Sequence, residues 1–269
     1  IPVYNGAATI RASLAALLAQ SFGDFELIVC DNASTDDTGA IVESLAAQDA
    51  RIRYVRHPVN IGANLNYSHA ARIARGEFLK WASASDWCAP TFLQRCLEAL
   101  QRDPGAVLAV PRTRLFQGDL SNAEDYSDDI EILDEGPAER LIALDARLRL
   151  NNAINGLIRL SALRRTRLIE PYYCADLVLM GHLALLGKFL LVDEPLFYRR
   201  MEAATATALQ DADGKRRHHY PELTSRTLLQ GWKRHLGWFR AAASAPMPLD
   251  ERARALKHVA RNCVWDRGA

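Results

Sequence analysis

Three clusters of polar side chains in this sequence each follow a short apolar run, where a strand of a sheet would end. Tyr4–Asn5 follows the first run, Asp31–Asn32 follows residues 25–30, and Ser83–Asp86 follows residues 77–81. In open α/β sheets, ligands bind beyond the carboxyl ends of the strands. If the strands are parallel, the three clusters converge at one edge and form a crevice that contains carboxylates.

The chemistry of this crevice is that of carboxylates rather than that of a glycine-rich phosphate cradle. The sequence contains no G-x-G-x-x-G after either of the first two strands and no G-x-x-x-x-G-K-[ST], so a dinucleotide dehydrogenase or a P-loop is poorly supported. Carboxylates reach phosphates through a divalent cation, and Mg²⁺ and Mn²⁺ prefer oxygen ligands. Asp31 is expected to accept hydrogen bonds from a ligand, and the alternative is that it only ends a strand.

Alternating strands and helices are predicted to position these clusters. Short apolar runs predict buried strands, and apolar residues at helical spacing predict helices. Four alternations with short loops favour a doubly wound, mostly parallel α/β sheet. The predicted strands cover residues 25–30, 51–56, 77–81 and 107–111, and the predicted helices cover residues 7–20, 38–48, 60–74 and 90–101.

The pattern changes in the second half of the chain. Residues 119–135 are acidic and are predicted to form a solvated loop, with a mobile loop near an acceptor as the alternative. Residues 201–221 are expected to be loosely structured. Further helices are predicted over residues 137–148, 177–186 and 228–243, and strands over residues 154–160, 189–192 and 196–200.

Composition narrows the class of protein. The chain has 269 residues, is 49% hydrophobic and carries a net charge of +1, so no overall field argues for a nucleic-acid partner. The five cysteines show no C-x-x-C pair, which suits a reducing compartment. Neither a transmembrane segment nor a signal peptide is expected. The predicted location is cytoplasmic, with the inner face of the membrane as a second location.

Four sequence motifs, in order, resemble family 2 glycosyltransferases of the A-type nucleotide-sugar-binding fold. Pro2–Gly6 matches the first-strand motif of that family, and Asp31–Thr38 matches its second motif. Asn60–Asn66 resembles its third motif. Ser83–Trp87 occupies the place of its metal-binding acidic motif. The resemblance covers about residues 1–200 and implies that fold, with a helical C-terminal extension.

The resemblance implies roles for the polar residues. Asp31 would contact the nucleobase, Asp86 would ligate Mn²⁺ or Mg²⁺ that neutralises the leaving diphosphate, and Trp87 would be a further site residue. Lys80 could instead be a solvent-exposed residue at a strand edge, and the two arginines could form a surface salt bridge. The other implied donor-binding residues are Pro2, Tyr4, Asn5, Asn64, Lys80, Ser85, Arg199 and Arg200.

Two positions depart from the pattern of the family. The acidic motif has a single acid, because Ser83 and Ser85 are neutral. A histidine that follows the arginines in the family is replaced by Met201 or Glu202. Either Glu202 completes the metal shell or the site depends less on metal. His218–His219 lacks partner ligands at metal spacing and is interpreted as loop.

The resemblance also implies an inverting transfer with one carboxylate base. This base would take the proton from the acceptor hydroxyl, and Asp176 lies in the matching context at the start of a helix. The acid that usually precedes the base is Ala175 here. The structural alternative is that Asp176 is the N-cap of that helix.

The predicted function is transfer of a sugar from a nucleotide-diphosphate donor, with a UDP-sugar favoured, to a saccharide or lipid-linked acceptor in glycan or polysaccharide synthesis. The alternatives are a nucleotidyltransferase on a similar sheet, a non-catalytic nucleotide-sugar-binding module and an interaction domain. Residues 1–203 would form the catalytic domain, with a nucleotide half to about residue 115 and an acceptor half over residues 116–203. Residues 204–269 would form a loop and a helical extension. The apolar and basic residues of its helix could contact a membrane, cover the catalytic domain or form a homodimer; these are Trp232, Lys233, Arg234, Trp238, Phe239 and Arg240.

Overall fold

A parallel three-stranded sheet with flanking helices forms the first part of the chain. Strand β2 is buried along its whole length, as its apolar run predicts, and it pairs with β1 on one side and β3 on the other. The register places Asp31 beside Val3 of β1 and Arg56 of β3. The elements are β1 (Pro2–Val3), α1 (Ile10–Leu18), β2 (Leu27–Asp31), α2 (Thr38–Ala46), β3 (Ile52–Arg56) and α3 (Ala63–Ile73).

The computed structural model describes residues 1–201 and 230–265. Three of the expectations above concern Glu202, His218–His219 and the segment 201–221. Apart from Met201, these residues lie outside the described part of the chain.

A second, mixed sheet follows, with strand order β4-β8-β6-β9-β5 and with β7 paired to β6. The long parallel pair β6 and β9 forms its centre. The elements are β4 (Phe78–Lys80), β5 (Trp87–Cys88), α4 (Phe92–Arg102), β6 (Ala106–Phe116), β7 (Glu124–Asp125), α5 (Pro137–Arg147), β8 (Leu157–Arg159), α6 (Leu160–Leu163), α7 (Ala175–Leu186) and β9 (Lys188–Arg200), with short 3₁₀ turns at Leu120–Asn122 and Asn152–Asn155.

The α/β class predicted from the sequence is confirmed, but the strand pairing differs in two places. Strand β4 was expected to continue the parallel sheet, and it pairs antiparallel with β8 instead. The two short strands predicted around Pro195 form one continuous strand, β9. Proline cannot donate a ladder hydrogen bond, and Pro195 lies where the register with β6 shifts at Arg112.

The acidic segment 119–135 is more than the solvated loop that its composition predicts. Ile130 and Ile132 are buried in the core, and Ile132 bridges Phe189 of β9. Asp129 accepts hydrogen bonds from the backbone N–H and the hydroxyl of Thr113. The segment therefore packs along the second sheet.

Two C-terminal helices, α8 (Gln230–Ser244) and α9 (Leu249–Trp265), pack on α5 and α7. Trp238 is buried and its Nε1 donates to the carbonyl of Leu177 at 3.0 Å. A Cβ on Gly181 would collide with the Trp238 ring, so glycine is required for this close approach. Of the three roles expected for α8, the structure shows packing on the preceding part of the chain. No helix in the described ranges is long and apolar enough to cross a membrane.

Candidate active site

The carboxylate of Asp31 lies at the end of β2 and is completely buried. Its Oδ1 accepts from the backbone N–H of Ser34 at 2.8 Å, and its Oδ2 accepts from the Tyr54 hydroxyl at 2.6 Å. The guanidinium of Arg56 lies 3.8 Å from Oδ2, and its side chain is 50% exposed. Asp31 is thus held as a paired anion, as a buried carboxylate must be.

Tyr54 and Gly39 complete this cluster. Burial and the hydrogen bond to Asp31 raise the pKa of Tyr54 to about 12, so its hydroxyl remains a donor near neutral pH. A Cβ on Gly39 would lie 2.9 Å from the Tyr54 hydroxyl and 3.2 Å from Nη1 of Arg56. Glycine at this position of α2 therefore lets the Asp31 cluster form.

The substitution Tyr54→Phe is expected to lower the free energy of unfolding by about 2 kcal/mol, because it leaves a buried charged acceptor without its donor. Urea unfolding measures this change. Tyr4→Phe is the matched control, since Tyr4 is 50% exposed and its loss of a hydroxyl should leave stability unchanged. Equal stability changes in the two variants would contradict the role of the Tyr54 hydroxyl.

The first-strand motif joins the loop that follows β2. The backbone N–H of Asn5 donates to the Ser34 hydroxyl at 2.9 Å, and the side-chain oxygen of Asn5 accepts from the N–H of Thr35 at 2.8 Å. Asn5 has a positive φ of 50°, which asparagine tolerates better than most residues. Pro2 is buried in β1, whereas Tyr4 and Asn5 are both exposed.

Asn64 and Lys80, two further predicted donor contacts, bind backbone carbonyls of the protein. Asn64 Nδ2 donates to the carbonyls of Glu170 at 2.9 Å and Tyr172 at 3.0 Å, which ties α3 to the loop before α7. Lys80 Nζ donates to the carbonyls of Trp81 and Asn155, and it lies 4.4 Å from the ring centroid of Phe92. The structure therefore directs Lys80 into the interior, and it is not the solvent-exposed residue of the alternative prediction.

The acidic motif lies against the end of β9. Trp87 of β5 pairs with Tyr198 of β9, and their rings meet edge to face at 4.9 Å. Asp86 Oδ1 accepts from the backbone N–H of Arg200 at 3.0 Å, and the Ser85 carbonyl accepts from the Nε of Arg200 at 3.1 Å. The Ser85 hydroxyl pairs with that of Ser83 at 2.9 Å.

Asp86 combines burial with cationic surroundings. Desolvation raises the pKa of its carboxyl, while the Arg200 N–H and the charges of Arg199, Lys80 and Arg200 oppose that rise. Its Oδ2 has no hydrogen-bond partner among the described residues. One carboxylate oxygen is thus available to a ligand, beside side chains that favour an anion.

Asp176 lies in the first turn of α7 and is not the N-cap that the alternative predicted. The N-cap is Cys174, which has a positive φ of 64°. Asp176 Oδ2 accepts from the side-chain amide of Asn151 at 2.9 Å. A carboxylate in the first helical turn is favoured by the helix dipole.

Tyr67 of α3 lies within electrostatic reach of the predicted metal ligand, the predicted base and Arg199. Burial raises the pKa of Tyr67 to about 12; Asp86 and Asp176 add to this rise and Arg199 opposes it. All three charges therefore lie within electrostatic reach of one hydroxyl. Tyr67 belongs to no sequence motif and was not predicted, although it follows Asn64 by three residues and so shares its face of the helix.

A divalent cation fits this site only in part. The described residues contain no group of three histidines, cysteines or acids that could hold a metal. Asp86 Oδ2 supplies one ligand oxygen. Because Mg²⁺ usually keeps several waters and binds substrate phosphates, one carboxylate and a diphosphate would suffice to hold it.

Two cavities lie away from this site. They have volumes of about 580 Å³ and about 260 Å³ and share the turn 166–168. None of the predicted site residues lines either cavity. The candidate active site is therefore the polar edge of the sheets and not either of these two cavities.

Comparison with protein families shows the family of the chain. The model of the family described as "Glycosyl transferase family 2" matches residues 1–167. The chain belongs to glycosyl transferase family 2. The match includes the Asp31 cluster, the acidic motif with Asp86, Tyr67 and the turn that carries Asn151.

Several curated relatives match part of the chain. The chondroitin synthase of Escherichia coli is 30% identical over 103 residues, which are 38% of this chain and 15% of that protein. The E. coli UDP-Glc:alpha-D-GlcNAc-diphosphoundecaprenol beta-1,3-glucosyltransferase WfaP is 28% identical over 103 residues, which are 38% of this chain and 40% of that protein. The chain spans less than half of the length of these relatives.

Solved structures confirm the fold over almost the whole chain. TarS 1-349 of S. aureus in complex with UDP has a TM-score of 0.66 at 15% identity, and the likeness covers 99% of this chain and 71% of that chain. The same protein in complex with UDP-GlcNAc has a TM-score of 0.62 at 15% identity, covering 99% of this chain and 72% of that chain. The predicted A-type glycosyltransferase fold with a helical C-terminal part is therefore confirmed.

Proposed function

We propose that this chain transfers a sugar from a nucleotide-diphosphate donor, a UDP-sugar by preference, to a hydroxyl of a saccharide or lipid-linked acceptor, with inversion. The observation that carries the proposal is that Asn151 and Asn152 connect Asp176 to Arg199, and that the next residue, Arg200, binds Asp86, in a member of family 2. One acid beside cations and a second acid on a separate element are what such a transfer needs. TarS, which has this fold, is described in complexes with UDP and UDP-GlcNAc, and this favours uridine.

The donor would lie across the edge where β1, β2 and the acidic motif meet. The exposed ring of Tyr4 and the end of β2 at Asp31 would contact the nucleoside. Asn5 joins the loop after β1 to the loop after β2 through its hydrogen bond with Thr35. Pro2 and Asn64 would not contact the donor directly. Pro2 would hold the backbone of β1 in place, and Asn64 would hold the loop before α7. Ser85 would face the diphosphate through the same loop that presents Asp86.

The diphosphate would be neutralised by Arg199 and Arg200 at the end of β9. Arg200 is held by Ser85 and Asp86, so its position depends on the acidic motif. A divalent cation held by Asp86 and the diphosphate oxygens would supply further positive charge as the leaving group departs. Lys80 would stabilise the diphosphate only through its electrostatic field, because its ammonium is bound to backbone carbonyls in the interior.

Asp176 would act as the base. Its carboxylate would take the proton of the acceptor hydroxyl while that oxygen forms a bond to the anomeric carbon. The bond from this carbon to the diphosphate oxygen would break on the opposite side, so the configuration inverts. The amide of Asn151 donates to Oδ2 and would leave Oδ1 for the proton.

The acceptor is expected to come from glycan or polysaccharide synthesis. The relatives include a chondroitin synthase and a glucosyltransferase named for a diphosphoundecaprenol-linked acceptor. Trp232, Leu236 and Phe239 are exposed on α8 beside Lys233, and this face suits contact with an anionic membrane where a lipid-linked acceptor would lie. We propose a cytoplasmic location because five cysteines without a C-x-x-C pair suit a reducing compartment.

Calorimetric titration with UDP, GDP, dTDP and CMP, each with and without Mn²⁺, tests the proposal. We expect UDP to bind, and to bind more tightly with Mn²⁺. Binding of UDP without turnover of any UDP-sugar would favour the non-catalytic module. If none of the four nucleotides binds, the proposed function is wrong.

A further inference from the structure

Asn151 and Asn152, here called the amide pair, connect the two charged ends of the candidate active site. Asn151 Nδ2 donates to Oδ2 of Asp176 at 2.9 Å. Asn152 Oδ1 accepts from Nη1 of Arg199 at 2.6 Å. The amide pair thus bridges the proposed base and the arginine that would bind the diphosphate.

The charged partners fix which way each amide faces. An ionised carboxylate only accepts hydrogen bonds and a guanidinium only donates them, so neither side chain can be flipped. The groups that remain are therefore determined as well. Asn151 keeps an acceptor, Oδ1, and Asn152 keeps a donor, Nδ2.

Both remaining groups are buried without a hydrogen-bond partner, which is rare in proteins. Asn152 is only 2% exposed, so its amide has little access to solvent. A buried polar group without a partner costs free energy, and sites that bind polar ligands often leave such groups for the ligand. The amide pair therefore offers one acceptor and one donor.

The position of the amide pair indicates the part of the substrate that it would meet. In an inverting transfer, the anomeric carbon lies between the acceptor oxygen at the base and the leaving oxygen of the diphosphate. The amide pair is hydrogen-bonded to both Asp176 and Arg199. It therefore lies beside the path from the acceptor oxygen to the leaving oxygen. The transferred sugar occupies this place, and its hydroxyls both donate and accept hydrogen bonds.

We propose that the amide pair binds hydroxyl groups of the transferred sugar, with Asn151 Oδ1 accepting and Asn152 Nδ2 donating. This inference rests on the proposed function and adds to it the residues that recognise the sugar. A site built to bond a hydroxyl discriminates strongly against a donor that lacks it. The amide pair would then be a determinant of donor-sugar specificity.

The test compares the affinities of UDP and of the UDP-sugar that binds most tightly among UDP-glucose, UDP-galactose, UDP-N-acetylglucosamine and UDP-N-acetylgalactosamine. The measured quantity is the affinity for the UDP-sugar divided by the affinity for UDP. Effects on binding of the shared diphosphate cancel in this ratio. Asn152→Asp keeps an oxygen for Arg199 and removes the donor. Asn152→Ala removes the whole amide. We expect both variants to lower the ratio by about tenfold.

Asn122→Asp is the matched control, because this asparagine is exposed on the 3₁₀ turn Leu120–Asn122 and should leave the ratio unchanged. A deoxy donor that lacks the contacted hydroxyl should bind wild type and Asn152→Ala equally. The inference is overturned if UDP binds and the ratio is one in the wild type, or if the ratio is the same in wild type and both variants. Failure of wild type to bind UDP at all would instead reject the proposed function.

Discussion

Asp176→Asn is expected to slow sugar transfer by about a thousandfold while UDP affinity stays within about twofold of wild type. The amide keeps the size of the side chain, but it cannot accept the proton of the acceptor hydroxyl. The nucleotide edge around Asp31 lies on other elements, so donor binding should be spared. Initial rates with a UDP-sugar and calorimetry with UDP measure the two quantities.

Asp250→Asn provides the control for this prediction. Asp250 also lies in the first turn of a helix, α9, and is exposed. The control variant should transfer sugar at the wild-type rate. Near wild-type transfer by Asp176→Asn would show that another group takes the proton, whereas loss of UDP binding would point to misfolding.

Asp86→Asn is expected to abolish the contribution of Mn²⁺ to donor binding. Metal affinity should fall by about 100-fold, which is the upper end of the loss measured when a group that supports a metal ligand is removed. Asp86 is the single acid of its motif, and the described residues offer no cluster to replace it. UDP affinity without metal should change little, because Arg199 and Arg200 remain. Calorimetric titration of UDP with and without Mn²⁺ measures both effects.

Asp24→Asn, at an exposed loop residue before β2, is the control for the loss of one acid. A gain in UDP affinity from Mn²⁺ that is as large in Asp86→Asn as in wild type would refute the metal role of Asp86. If Mn²⁺ has no effect on wild type either, the arginines at the end of β9 bind the diphosphate unaided.

The local part of the fold was predictable because each element carries its own signal. The apolar run before Asp31 predicted β2, and apolar spacing predicted α1 to α4 to within a few residues. The pairing of β4 with β8 was not predictable, because strands about 80 residues apart leave no local signal of their direction. The continuity of β9 through Pro195 depends on a register shift in its neighbour β6.

The site was predictable where a motif follows a strand and not where tertiary contacts create it. The acids Asp31 and Asp86 follow apolar runs, and Asp176 came from the family resemblance. Tyr67 and Asn152 have no motif of their own. Their importance follows from burial and from the charged groups that the fold brings to them. Lys80 was predicted from its position in the sequence to contact the donor, but its ammonium binds the backbone carbonyl of Asn155 in the interior.

The packing of α8 on α7 has a consequence for how members of this family diverge. The family-wide segment ends at residue 167, before the helix that carries Asp176 begins. Trp238 of α8 packs against that helix, and its Nε1 donates a hydrogen bond to the carbonyl of Leu177, the residue directly after Asp176. Exchange of the C-terminal helices between relatives would therefore change the surroundings of Asp176, the proposed base, while residues 1–167 stay unchanged. Substitutions in α8 could therefore alter the position of Asp176 without changing any residue of the matched segment.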